Sequence, residues 1–382
     1  MKKHNFDEII ERKETYSLKY DLWPEDVTPM WVADMDFRTA PEIRERLAAV
    51  ADYGVFGYTN QPEELTALII DRLKKMYSWD VKPEEILIYN GIVPAMNLLC
   101  RTMKDPDSKL VNLVPVYYPF FQMGPNSDLP IANIQMLPDG LSWVIDFGAL
   151  EKEFSKGKNL LLLSNPQNPL GRIFTKAELS RLAELCVKYD VTVASDEIHC
   201  DLILDKDKKH IPIASLNEEI AKRTVTFLSP TKTWNLAGIQ FSFAVVQNPE
   251  IRSAMAKAGA GLTGRLPVFS YNAALYAYKY GQDWLDQLLD YLRTNRDKAI
   301  ESLHGYMGLK VTQPLEATYL LWIDHSSFPG VDVHKVLLEK AKVGLSAGKP
   351  FGSEKHVRMN LACPASVLDK SLAAIKQALK EI

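Results

Sequence analysis

Lys232 follows the apolar run 224–228, inside Ser229-Pro230-Thr231-Lys232-Thr233-Trp234-Asn235-Leu236-Ala237-Gly238. An ammonium at the end of a buried strand gives up its proton easily, because desolvation disfavours the charged form. The free amine can then condense with an aldehyde to form a Schiff base. A solvated lysine after a strand is the competing reading, as most lysines are exposed. Other apolar runs end in residues that suit such chemistry. Asp196, in Ser195-Asp196-Glu197-Ile198-His199, follows apolar residues 191–194. A buried carboxylate needs a partner, and a protonated ring nitrogen is a suitable one. Asn168 lies in Ser164-Asn165-Pro166-Gln167-Asn168-Pro169-Leu170-Gly171-Arg172, a loop stiffened by two Asn-Pro pairs, and can donate to a bound oxygen. Tyr117, in Pro115-Val116-Tyr117-Tyr118, offers a stacking face for a flat ring. In Asn90-Gly91-Ile92-Val93-Pro94, Gly91 permits a tight turn, and the N–H groups of Ile92 and Val93 can cradle a phosphate. Each of these last three has an ordinary structural alternative: a turn, a core aromatic or strand–helix punctuation.

The elements that must position these residues alternate along the chain. Runs at 85–89, 109–114, 159–163, 191–194, 224–228 and 241–246 are apolar on both faces. Between them lie amphipathic stretches such as 176–189, where Leu179, Leu182, Ala183, Leu185 and Cys186 recur at helical spacing. This pattern predicts an α/β fold with a mostly parallel central sheet covered by helices. Ligands of such sheets bind at the carboxyl ends of the strands, which is where Asn168, Asp196 and Lys232 fall. After Gly281 the pattern changes to a long charged helix, about 283–307, then strands at 310–312 and 319–323 and two further helices. The expected division is a large domain over 46–281 and a smaller α+β domain from 1–45 plus 282–382.

The chain has 382 residues, 47% hydrophobic and 24% charged, with a net charge of −3. That balance gives no electrostatic footprint for nucleic acid or an anionic membrane. Its four cysteines form no CxxC pair and read as reduced thiols. The Asp/Glu/His cluster at 196–201 has no second histidine nearby, so no metal site is expected. The start, Met1-Lys2-Lys3-His4-Asn5-Phe6-Asp7-Glu8, is basic but lacks a signal peptide's apolar stretch, and no window approaches a membrane helix. A cytoplasmic location is expected.

Taken together, these segments resemble the fold-type I pyridoxal-phosphate (PLP) enzymes, the aspartate aminotransferase superfamily. Order and spacing match: Asn168, Asp196 28 residues later, and Lys232 another 36 on. Within the superfamily the chain looks most like the MalY/PatB-type carbon–sulfur lyases, the cystathionine β-lyases. The motifs that carry this are Met30-Trp31-Val32-Ala33-Asp34-Met35-Asp36-Phe37, Asp196-Glu197-Ile198-His199, Ser-Pro-Thr-Lys-Thr-Trp-Asn, and Arg358-Met359-Asn360-Leu361-Ala362-Cys363-Pro364. The likeness runs from Asn5 to the last helix.

The resemblance implies an aspartate aminotransferase-like fold, PLP as cofactor, and a role for each matched residue. Lys232 would carry the cofactor and shuttle the Cα proton, while Asp196 would keep the pyridine nitrogen protonated. Asn168 and His199 would contact the phenolic oxygen, and Tyr117 would stack on the ring. Gly91, the Ile92 and Val93 N–H groups, and the Ser229 hydroxyl would hold the phosphate. Tyr58 would reach the phosphate of a neighbouring subunit, so the implied protein is a homodimer with shared active sites. Arg358 would clamp the substrate α-carboxylate, with Ala33 and Asn168 beside it. One departure stands out. Many superfamily members have an arginine eight residues after the lysine, where this chain has Gln240, which predicts easier loss of PLP.

The implied reaction is α,β-elimination from L-cystathionine, L-cysteine or other S-substituted cysteines, giving thiol, pyruvate and ammonia. An aminotransferase of the same fold shares every cofactor residue and is the alternative. A PLP-binding regulatory protein is a third reading, against which stands the lack of a basic arm. Arg265, in the Gly-rich loop 261–266, is a candidate for reading a substrate's far carboxylate, with a solvated loop arginine as the bland alternative.

Overall fold

The computed structural model describes residues 3–103 and 105–382; of the basic start, Met1 and Lys2 lie outside them. The runs apolar on both faces become strands of one sheet: β1 Ile86–Tyr89, β2 Lys109–Val114, β3 Ile131–Gln135, β4 Asn159–Ser164, β5 Thr192–Asp196, β6 Thr224–Leu228 and β7 Ser242–Val246. Across the sheet they run β1-β7-β6-β5-β4-β2-β3. β7 is antiparallel to both its neighbours, and every other pairing is parallel. Alternation along β4 shows why both faces are apolar. Leu160 and Leu162 pack under helices Ile92–Cys100 and Pro119–Ser127, whereas Leu161 and Leu163 pack under Phe147–Phe154 and Lys176–Lys188. β3 was not expected: it is an edge strand with half-exposed residues and Asn133 at its centre, so it lacks the apolar run of its neighbours.

A second sheet, antiparallel, is formed by β8 Lys310–Val311, β9 Leu320–Asp324, β10 Ser346–Ala347 and β11 His356–Asn360, in the order β8-β9-β11-β10. Helix Gln282–Leu303 packs behind it. That helix stops short of the expected 307 because Gly305 takes a left-handed φ of 80°, after which a 3-10 turn covers Tyr306–Gly308. The N-terminal residues join this part: Thr28–Pro29 pairs with Val343–Gly344, and Phe6, Met30, Met35 and Phe37 share its core. Helix Pro41–Tyr53 crosses position 45/46 and lies along helix Val268–Tyr280.

Register brings the polar strand ends level. Ser164 on β4 pairs with Asp196 on β5, and Asp196 with Phe227 on β6, so the loops after these strands leave from one edge. Segment 30–37, irregular with bends at 32–33 and 36–37, lines the cavity at this edge. It is tied down by Asn360 Nδ2, which donates to Val32 O (2.6 Å) and Asp34 O (2.8 Å), and by Asn235, which bonds Met35 and Phe37.

Candidate active site

The cavity at this edge is lined by Ala33, Ile92, Val93, Tyr117, Asn168, Asp196, His199, Lys232 and Arg358, together with Trp31, Val32, Tyr118, Ser164, Ile198 and Ser346. Nine residues proposed from sequence therefore meet in one place, though they come from both sheets and from segment 30–37.

Lys232 donates from Nζ to Ala33 O at 2.6 Å. Burial pulls its ammonium down to about 8, with Arg358 acting in the same direction and Asp34 and Asp196 opposing. Part of its population is thus the free amine near neutral pH. Asp196 is only 7% exposed. Its Oδ1 accepts from Ile198 N at 3.1 Å, and no cation pairs with it among the described residues. Burial pushes its carboxyl up to about 7, against the hydrogen bond from Ile198. His199 is buried with Nδ1 unpartnered, and burial lowers it to about 3, so the imidazole is neutral.

Arg358 sits on β11, opposite Trp322 on one side and Ser346 on the other. It is 3% exposed, and among the described residues no carboxylate pairs with it. Its Nη1 donates to Asn168 Oδ1 (2.9 Å) and its Nη2 to Trp31 O (3.0 Å), while Nε has no partner. Burial lowers the guanidinium only to about 10, so it stays charged at neutral pH. A buried cation with a free N–H edge is a receptor for a carboxylate.

Asn168 is aimed by its loop. The segment 165–173 is wholly buried, both Asn–Pro bonds are cis, and Asn168 N donates to Ser164 Oγ at 3.2 Å. Gly171 there takes φ 67°, and a side chain would collide with Leu315. Ile92 and Val93 open helix Ile92–Cys100, so their N–H groups have no acceptor within the helix, and both residues line the cavity.

Three residues stand apart. Gly91 caps that helix with an extended φ of 175°, which any residue adopts, so no tight turn demands glycine. Ser229 is buried outside the cavity lining, and its hydroxyl donates to Phe241 O at 2.6 Å. Tyr58 is 99% exposed on the loop after helix Pro41–Tyr53. Arg265 is also exposed and away from this cavity; its Nη1 donates to Asn60 Oδ1 at 2.5 Å, two residues from Tyr58. Gln240 is exposed at φ 55° after a 3-10 turn. Ser346 went unread in the sequence, since a single serine on a two-residue strand carries no pattern. Tyr118 had a signal, its place beside Tyr117.

Residues 25–375 match the aminotransferase class I and II family. Among curated proteins, the chain is 36% identical to cystathionine beta-lyase PatB of Bacillus subtilis, covering 98% of this chain and 100% of that one. It is 30% identical to cystathionine beta-lyase of Corynebacterium glutamicum, with the same coverage. Among solved structures, cystalysin from Treponema denticola, which contains pyridoxal 5'-phosphate, superposes with a TM-score of 0.93 at 33% identity over all of both chains. The two sheets and their connections are therefore those of the aspartate aminotransferase-like fold. The chain belongs to the aminotransferase class I and II family.

Proposed function

We propose that this protein is a PLP-dependent carbon–sulfur β-lyase, acting on L-cystathionine, L-cysteine or related S-substituted cysteines. The observation that carries the proposal is the burial of Asp196 and Arg358 around Lys232 with no ion-pair partner for either among the described residues. A protonated pyridine nitrogen satisfies the first and a substrate α-carboxylate the second. The unpartnered Nδ1 of His199 and Nε of Arg358 are further polar atoms awaiting a ligand, so the residues present fit PLP. Lys232 would be the attachment point, Asp196 the pyridine partner, and Tyr117 the stacking ring. Asn168 and His199 would contact the phenolic oxygen. The N–H groups of Ile92 and Val93 would hold the phosphate. Bound PLP withdraws the electron pair left at Cα, which allows the Cβ–S bond to break.

The chain's own groups do the rest. Arg358 holds the α-carboxylate through two parallel N–H···O bonds, with Asn168 fixing the guanidinium plane from Nη1. Lys232, part-deprotonated by burial, takes the Cα proton. The Cα–H bond must point at Nζ, and the Ala33 carbonyl, which accepts from Nζ at 2.6 Å in the cofactor-free chain, would orient the amine once substrate has released it. The thiolate leaves with the bonding pair, and the three-carbon remainder hydrolyses to pyruvate and ammonia. Similarity to curated cystathionine beta-lyases supports elimination over transamination. We place the protein in the cytoplasm as a homodimer, in which Tyr58 of one copy completes the phosphate site of the other.

Purified protein loaded with PLP and given L-cystathionine is expected to release thiol and pyruvate with no keto acid present. Turnover strictly dependent on a keto acid acceptor overturns the lyase reading in favour of the aminotransferase.

A further inference from the structure

A second cavity of about 640 Å³ meets the first at Val32, Ala33 and Lys232. Its walls are residues 10–18, the stretch 32–38 and the turn after Lys232. Most of the charge here is tightly paired. Arg12 grips both oxygens of Asp34 (3.1 and 2.8 Å) and Oδ1 of Asp36 (2.8 Å), and buried Lys19 takes Oδ2 of Asp36 at 2.7 Å. Two cations thus balance two carboxylates. Two other cations line it: Lys232, with no carboxylate partner among the described residues, and Arg38, 49% exposed, whose Nε and Nη2 hold Glu8 at 3.1–3.2 Å, itself 42% exposed and outside the lining. Such a pair in open solvent is weak and readily exchanged. Asp34 keeps its side chain 27% exposed despite Arg12. An exposed guanidinium and a partly exposed carboxylate therefore share one chamber, which Lys232 also lines. The strap over it holds Glu14 at φ 56° and Tyr16 at φ 55°, left-handed conformations that non-glycine residues avoid unless the surroundings impose them.

We infer that this chamber receives the leaving half of the substrate and favours thiols that carry an amino-acid group of their own, Arg38 meeting the distal carboxylate and Asp34 the distal ammonium. The inference rests on the lyase reading above and adds to it a basis for choosing among thioethers. With the α-carboxylate on Arg358 and Cα at Lys232, the chain beyond sulfur has two cavities to enter. The cofactor would fill the first. The second is open and carries both signs of charge, which suits a zwitterion and gives nothing to a plain alkyl tail. Arg265, by contrast, lines neither cavity of its own protomer.

The test compares L-cystathionine with S-propyl-L-cysteine, which has the same carbon chain without the distal amino and carboxyl groups. The ratio of their kcat/KM values is measured in wild type, Arg38→Gln and Arg38→Lys. The ratio is expected to fall roughly fivefold in Arg38→Gln, the size of one partly exposed charged contact, and to recover at least partly in Arg38→Lys. A ratio within twofold of wild type in Arg38→Gln overturns the inference, as does an equal fall in Arg38→Lys. If wild type yields no pyruvate from either compound, the lyase reading itself fails. The same two ratios are then read from dissociation constants, by absorbance titration of the PLP-loaded protein, and the same outcomes decide.

Discussion

A carboxylate placed as Asp196 is placed works against the protein that holds it. Its ordinary value is 3.8 and its folded value about 7, so between these the folded state binds a proton the unfolded state lacks. Its contribution to stability is fully present below pH 3.8 and is lost as pH rises through 7. At pH 8 the cofactor-free protein therefore carries a buried, unpaired charge. Asp196→Asn removes it, and we expect that variant to be more stable than wild type at pH 8 by roughly 2 kcal/mol, with little difference at pH 4. It should also lose at least about a hundredfold in activity, since a neutral amide does not keep the pyridine nitrogen protonated. Denaturant midpoints of the cofactor-free proteins at the two pH values check the first part; an equal difference at both sinks the assignment. Asp196, Lys232 and Asn168 were legible in the sequence for the same reason that makes them costly: each is a polar group at the end of a run that must be buried. For the Ser229 hydroxyl, type and position do not show which acceptor it meets, and Phe241 O, twelve residues on, is its partner in the cofactor-free chain. Ser346 was invisible altogether.

Among the elements, the turn carrying Lys232 depends on the end of a helix far along the chain. Trp234 is fully buried and donates its indole Nε1–H to Gly281 O at 2.8 Å, at the junction of helices Val268–Tyr280 and Gln282–Leu303. The φ of Gly281 is an ordinary −86°, so close approach, not conformation, requires glycine there. A Cβ would overlap the Trp234 indole nitrogen and stand 2.6 Å from Ala277 O. Gly281→Ala should lower stability by about 2–4 kcal/mol. It should also cut kcat, because Trp234 can yield only by moving the turn two residues from Lys232. Unchanged melting behaviour and kcat in that variant would remove Trp234 from the account of how the amine is held. This tie could not be read from periodicity, which reports a helix's face and not what its last carbonyl accepts. The same limit explains segment 30–37. It is neither helix nor strand, and asparagines some 200 and 330 residues away fix it. By contrast, the strands of the large sheet other than β3 were plain in the sequence, because burial on both faces leaves an unbroken apolar run.

For the whole molecule, the surface beside helix Pro41–Tyr53 is the part that a single copy leaves unexplained. Tyr53, Val55, Phe56 and Tyr58 are 75%, 65%, 60% and 99% exposed in one short stretch. Arg265 binds Asn60 in the same stretch, and exposed Leu262 lies three residues before Arg265. Large apolar side chains crowded on one edge suit a self-complementary contact between two copies. Tyr58 would then leave its own protomer and enter the site of the other. That arrangement makes a sharp prediction about mixed dimers. Lys232→Ala and Tyr58→Ala are each expected to be poor enzymes as homodimers. In a dimer with one copy of each, one site has both defects and the other has neither. Random exchange of equal amounts makes about half the dimers mixed, each with one intact site in two, so mixing should restore about a quarter of wild-type activity per chain. The recovery should appear only after conditions that allow subunits to exchange. If Tyr58 served its own protomer, every site in the mixture would keep one defect and mixing would restore nothing. A Tyr58→Ala protein as active as wild type would remove the residue from the site in either copy.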